Sequence, residues 1–206
     1  SKGKVRVIEN GIALPDNSRE RSTGEEIRLL CTGRADKQKG FQTAIRAVAE
    51  IDDMPLHLDI IGTGPYLEDL KKISRNLGTD ERVTFHGRVT DDELNLAYSS
   101  ADIYLIPTTR YEGLPLALLE AMAHGIPTIS SEIGGNSDVI THNHDGIFIK
   151  PGNLSELISA IRRLGNDQKE RRRISQAARA TTERRFDKER MIDETLQTLE
   201  SLTNMS

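Results

Sequence analysis

Four charged side chains in this sequence are spaced as if to hold a phosphorylated ligand. Glu112 and Glu120 stand with seven residues between them, and Gly113, Leu114, Pro115 and Leu116 follow the first directly. Far upstream, Arg34 and Lys39 lie in the run Gly33-Arg34-Ala35-Asp36-Lys37-Gln38-Lys39-Gly40. An arginine offers a planar fork and a lysine a point charge for neighbouring phosphate oxygens. On spacing alone, a solvated basic loop explains Arg34 and Lys39 more simply. A carboxylate is odd beside phosphate alone, but it suits a ligand whose sugar hydroxyls adjoin its phosphates.

Both pairs fall where a strand passes into a helix. Residues 101–107 are an apolar, strand-like run, Glu112 follows in a loop, and a short helix opens near Pro115. Gly125-Ile126-Pro127 closes that helix, since proline cannot continue it, and residues 128–130 form the next strand. Glu120 is thus inside a helix whose unpaired N-terminal N–H groups make an anion site. The basic loop likewise follows a strand at 27–32 and enters a helix with Ala44, Ile45, Ala47, Val48 and Ile51 on one face.

Strands are also expected at 4–8, 57–61, 82–85 and 145–149, and helices at 66–76, 92–99 and 154–164. Further helices run from about 169 to Phe186 and from Asp187 onward. Thr90 and Glu93 form a capping box before the helix at 92. The polar stretch 16–26 reads as a flexible loop. Alternating strands and helices argue an α/β, Rossmann-like parallel sheet with helices on both faces. Ligands in such sheets bind beyond the carboxyl ends of the strands.

The 206 residues are enough for a single domain, 1–206. A net charge of −4 argues against nucleic-acid binding through a global basic field. Absence of Trp and few aromatics argue against a sugar-stacking lectin surface. The lone Cys31 allows no internal disulfide and reads as a buried core thiol, which fits a reducing compartment. No tract is long enough to span a membrane, and residues 1–4 lead into a strand with no signal peptide.

Other patterns point elsewhere with less force. Gly62-Thr63-Gly64 after a strand suggests a dinucleotide fingerprint, but its third glycine position is Leu67. His142, His144 and Asp145 fit no closed zinc spacing, so a surface loop is expected there. Asp52-Asp53 and Asp91-Asp92 are adjacent pairs, not an Asp-x-Asp metal motif. The basic run Lys169–Arg173 could lie on anionic lipid, although Glu170 and Glu183 favour a solvated helix face. A hydrolytic carboxylate pair is a poorer reading, because a helix-bound Glu120 has no route to an acid role.

The Glu112-to-Glu120 run, continued by Glu120-Ala121-Met122-Ala123-His124-Gly125-Ile126-Pro127, resembles the E-x7-E signature of family 4 retaining glycosyltransferases, the glycosyl transferases group 1. The resemblance extends over nearly the whole chain. Arg34 and Lys39 match that family's Gly-Arg-x-x-x-x-Lys-Gly motif, and residues 7–13 resemble the segment opening its C-terminal half, with Ala13 where Asp is usual. Residues 134–140 resemble its Gly-Gly-x-x-Glu-x-Ile, with Asp138 in place of Glu and no role assigned to it.

What this resemblance implies is the donor-binding C-terminal half of a GT-B enzyme, inactive in transfer alone. The donor is a UDP-sugar or GDP-sugar, with no cofactor and no metal. Arg34, Lys39 and the backbone of Gly113, Leu114, Pro115 and Leu116 would hold the diphosphate. Glu120 would bind the ribose and Glu112 the donor sugar. Gly62, Thr63 and Gly64 would wall the site, with Arg88 and Val89 at the nucleobase through backbone groups. Arg34, Lys39 and Glu112 would serve catalysis.

An N-terminal acceptor domain would be packed by the terminal helix, about 188–203, and the acceptor would be a glycan or a lipid-linked molecule. The setting would be cytoplasmic, with peripheral contact at the cytoplasmic membrane face. A non-catalytic nucleotide-sugar-binding module and a GT-B-like phosphorylase or epimerase are the alternatives.

Overall fold

Six short apolar runs become the strands of one parallel sheet. The structure, a computed structural model, describes residues 5–15 and 26–203. The strands are β1 (Ile27–Thr32), β2 (Leu56–Ile61), β3 (Val83–Gly87), β4 (Ile103–Ile106), β5 (Thr128–Ser131) and β6 (Ile147–Ile149). They lie in the order β3-β2-β1-β4-β5-β6, and every pairing is parallel. This is the doubly wound order, with its topological switch between β1 and β4.

Helices α1 (Phe41–Glu50), α2 (Leu67–Asn76), α3 (Asp91–Ser100), α4 (Leu116–Ala123), α5 (Asn136–Val139), α6 (Leu154–Asn166), α7 (Gln168–Arg185) and α8 (Lys188–Thr203) complete the chain. Strand alternation divides the core. Leu29, Cys31, Leu58, Ile60, Ile103 and Leu105 pack with α1 and α6 on one face. Leu30, Tyr104 and Ile106 pack with Tyr98 of α3 and with α4 on the other. A strand buried on both faces needs the near-continuous apolar sequence seen in β4.

Local chemistry sets the helix ends. Thr90 caps α3 in a reciprocal box with Glu93. At the far end of α4, Gly125 turns at φ 62, and α7 supplies polar partners: Arg179 Nη1 donates to Ala123 O at 2.6 Å and Ser175 Oγ to Gly125 O at 2.6 Å. The outer edge of β6 is covered by side chains. His142 Nδ1 accepts from the Phe148 N–H at 2.8 Å, and Glu156 Oε2 from the Lys150 N–H at 2.7 Å.

Three expectations change. Residues 5–8 form no strand. Val5 and Val7 stand exposed, and pairing begins only at Ile12, which bridges to Asp187 just before α8. Asp145 is not on the surface: it is 2% exposed and accepts from the Thr141 N–H and from Thr181 Oγ1. Asn136–Val139 is a one-turn helix absent from the elements expected from the sequence. Nearly all of the polar stretch 16–26 lies outside the described residues.

Candidate functional site

The loops after β1, β2, β3 and β4, at carboxyl strand ends, carry most of the predicted site residues, and α4 carries Leu116 and Glu120. After β1 the chain runs through Gly33 and Arg34, then folds Lys37–Lys39 into a single 3-10 turn ended by Gly40 at φ 77. A Cβ at Gly40 would sit 1.8 Å from the carbonyl oxygen of Pro107, so glycine permits this loop to touch the end of β4. Two threonines there fasten it: Thr108 Oγ1 and the Thr109 N–H both donate to Gln38 O, at 3.0 and 2.8 Å.

This contact brings two distant motifs together. Lys39 Nζ lies 2.7 Å from Glu112 Oε1 and 3.0 Å from Oε2, with both side chains partly shielded from solvent. The Glu112 loop is in turn held from below. The Gly135 N–H donates to Glu112 O at 2.9 Å, and a Cβ at Gly135 would stand 2.0 Å from the Gly113 oxygen. The Gly134-Gly135 pair therefore receives the Glu112 loop, part of this chain's own backbone.

The remaining predicted residues fall around this pair in different states. Arg34 is exposed and pairs with Asp36 at 3.0 Å; the structure gives it no contact with Lys39 or Glu112. Arg34 instead lines an open depression with Asp36, Lys37, Gln38, Pro65, Tyr66 and Arg110. Gly62 and Gly64 press against the 33–35 loop: their Cβ atoms would meet Gly33 O at 1.9 Å and Ala35 O at 2.5 Å. Thr63 O accepts from the Ala35 N–H at 3.0 Å. That packing explains the glycines without a dinucleotide. Arg88 is exposed, and Val89 is partly buried against the second core cluster.

Helix α4 opens at Pro115 without a side-chain cap, so its first N–H groups remain available to an anion. Glu120 projects from this otherwise apolar helix, and its Oε2 accepts from the Tyr98 hydroxyl at 2.9 Å. Sequence reasoning missed Tyr98, Thr32 and Tyr104, which join Glu120 in one hydrogen-bonded group. The linear signal was slight: one tyrosine in a largely polar helix and one in an aliphatic strand.

Cys31 is fully buried, which pushes its thiol pKa far up and leaves it a core residue. Within the basic run, Arg171 Nη1 donates to Gly165 O at 2.7 Å and Arg173 Nη2 to Asn143 O at 2.8 Å. Those two guanidinium groups tie α7 to the end of α6 and to the loop that precedes β6. Among the described residues, no helix is long and apolar enough to cross a membrane, and no group of three His, Cys, Asp or Glu could hold a metal ion.

Residues 16–181 match the model of the family described as glycosyl transferases group 1. The chain belongs to that family. This group 1 glycosyltransferase chain is 34% identical over 149 residues to the GDP-mannose-dependent alpha-(1-6)-phosphatidylinositol monomannoside mannosyltransferase of Mycobacterium tuberculosis, covering 68% of this chain and 39% of that protein. It is 33% identical to the sulfoquinovosyl transferase SQD2 of Arabidopsis thaliana, over 78% of this chain and 31% of that one. It is 35% identical to the lipopolysaccharide core biosynthesis glycosyltransferase LpsD of Rhizobium meliloti, over 78% and 46%.

The chain thus spans less than half the length of these relatives. Among solved structures it superposes on Anabaena HepE in complex with UDP with a TM-score of 0.80, at 23% identity, over 86% of this chain and 49% of that one. That likeness shows the fold, which is that of the GT-B glycosyltransferases.

Proposed function

We propose that this chain is the nucleotide-sugar donor half of a retaining, metal-independent glycosyltransferase whose acceptor is a glycan or a lipid-linked molecule. The observation that carries the reading is the meeting of Lys39 and Glu112 at the β1/β4 switch point, beside the uncapped start of α4. A cation, a helix N-terminus and a carboxylate in one crevice suit a ligand made of phosphates and a sugar.

In this reading Lys39, Arg34 and the N–H groups of Leu114 and Leu116 bind the diphosphate. Negative charge grows on the departing nucleoside diphosphate as the glycosidic bond breaks, and fixed positive groups there lower the barrier. Glu120 takes the ribose hydroxyls and Glu112 the donor sugar near its reacting face. Departure and attack on the same face would retain configuration without a stable covalent intermediate. The Gly62-to-Gly64 turn walls the site, and the backbone around Val89 meets the base. Leu196, Leu199 and Leu202 of α8 are exposed, which supports packing against an acceptor-binding half outside this chain. Transfer then needs both halves, in the cytoplasm or at the cytoplasmic face of a membrane.

Calorimetric titration with UDP, GDP and ADP tests the reading. One nucleotide should bind selectively, and Lys39→Ala and Glu120→Ala should each weaken it, the former in a salt-sensitive way. A folded chain that binds none of the three would remove the donor-site reading. A chain that binds donor yet never supports transfer when joined to an acceptor domain would favour a non-catalytic module.

A further inference from the structure

Glu120 is held from inside the fold. Tyr98 of α3, 2% exposed, donates its phenolic hydrogen to Glu120 Oε2 at 2.9 Å. Thr32, the last residue of β1, places Oγ1 3.0 Å from that phenolic oxygen. Tyr104 of β4 places its own hydroxyl 2.6 Å from Thr32 Oγ1. Each hydroxyl has one proton to give, and an ionised carboxylate only accepts. Because Tyr98 gives its proton to Glu120, Thr32 gives its proton to Tyr98, and Tyr104 to Thr32. The bonds therefore run in one direction and polarise one another. Burial raises the pKa of both phenols well above the ordinary value, so the run keeps its protons.

Packing holds the phenol as well as hydrogen bonding. The imidazole of His124, one helical turn beyond Glu120, stacks on the Tyr98 ring with centroids 5.1 Å apart and planes 20° from parallel. Tyr104 contacts the same ring at 5.8 Å. Glu120 is thereby left with one oxygen engaged; among the described residues its Oε1 has no hydrogen-bond partner.

We propose that Tyr98 is a positioning residue for the donor: it fixes Glu120 so that the carboxylate meets the ribose hydroxyls of a nucleoside diphosphate in a single geometry. This rests on the donor-site reading above. It also explains why Thr32 directly precedes Gly33 and Arg34: one strand end supports both the carboxylate and the diphosphate loop.

The test titrates the chain with UDP or GDP, whichever the wild type binds, and with the 2′,3′-dideoxy form of the same nucleotide. Tyr98→Phe keeps the ring and removes the hydroxyl. Binding of the ribonucleotide should weaken about tenfold, the scale of one hydrogen bond to a charged group. The dideoxy form, which has no ribose hydroxyl to lose, should bind variant and wild type alike. Thr32→Val breaks the run one step earlier and should give a smaller loss, about threefold, with the same selectivity. It decides the matter if Tyr98→Phe does not fold. Unchanged ribonucleotide binding, or equal loss for both nucleotide forms, overturns the positioning role while leaving the donor site standing. A wild-type chain that binds no nucleotide removes the donor site itself.

Discussion

Lys39 and Glu112, 73 residues apart in sequence, neutralise each other across the crevice between β1 and β4. In the unliganded protein each is therefore the other's counter-ion. A diphosphate that claims Lys39 must displace a carboxylate. The pair is partly exposed, so its strength is modest, about 1 kcal/mol.

Releasing that lysine should have a measurable sign. Glu112→Gln removes the competing charge and should tighten binding of a free nucleoside diphosphate about threefold to fivefold, since 1.4 kcal/mol is tenfold. The corresponding nucleotide sugar, which would also contact Glu112, should show no such gain. Calorimetry on both ligands checks this, and weaker nucleoside diphosphate binding by the variant would contradict it.

Gly135→Ala should distort the site from beneath. Its Cβ would lie 2.0 Å from the Gly113 oxygen, so backbone must move. A loss of about 2 kcal/mol in urea unfolding is expected, with weakened nucleotide binding. Gly113→Ala is the contrast. Nothing stands within 4 Å of a Cβ there, and its stability should change by less than about 0.5 kcal/mol.

Arg171 anchors α7 to the carbonyls that end α6, donating to Leu164 O and Gly165 O. Arg171→Met keeps much of the apolar stem and removes both donations. Chemical denaturation should show a loss of about 1 to 2 kcal/mol. An unchanged midpoint would mean that water replaces the guanidinium without cost.

Acid should release one ion pair selectively. Arg163, by hydrogen bond and charge, holds the Glu170 carboxyl below the ordinary value of 4.5. A carboxylate with a lowered folded-state pKa adds stability above its unfolded value and loses it as pH falls through the folded one. The stability gap between wild type and Glu170→Gln should be constant above about pH 5 and close progressively below 4.5. Urea midpoints measured across that range would show it, and a gap independent of pH would refute it.

Much of the fold was readable because its strands are buried on both faces and stand out as apolar runs, as at Ile103–Ile106. The Thr90–Glu93 box marked α3 by local chemistry alone. Residues 5–8 misled: Val5, Val7 and Ile8 make a β-branched run like a strand, yet among the described residues nothing pairs with them, and pairing is never local information. In the site, the strand-to-helix placement of Lys39 and Glu112 was legible from turn and helix-stop residues. Their direct contact was not, because it depends on Gly40 reaching Pro107. Tyr98, Thr32 and Tyr104 come from three separate elements, and only the packing of α3 over β1 and β4 unites them.

The central pairing has a consequence for how the molecule acquires its crevice. β1 meets β2 after a short excursion, but it meets β4 only after the chain has returned from 74 residues away, where the Arg28 N–H finds Asp102. Distant pairings close later, since loop entropy opposes them before any contact rewards them. The seam that brings Lys39 to Glu112 is thus expected to be among the last to form in refolding. Nucleotide capture should return after most helical signal, which makes it a reporter of a finished sheet.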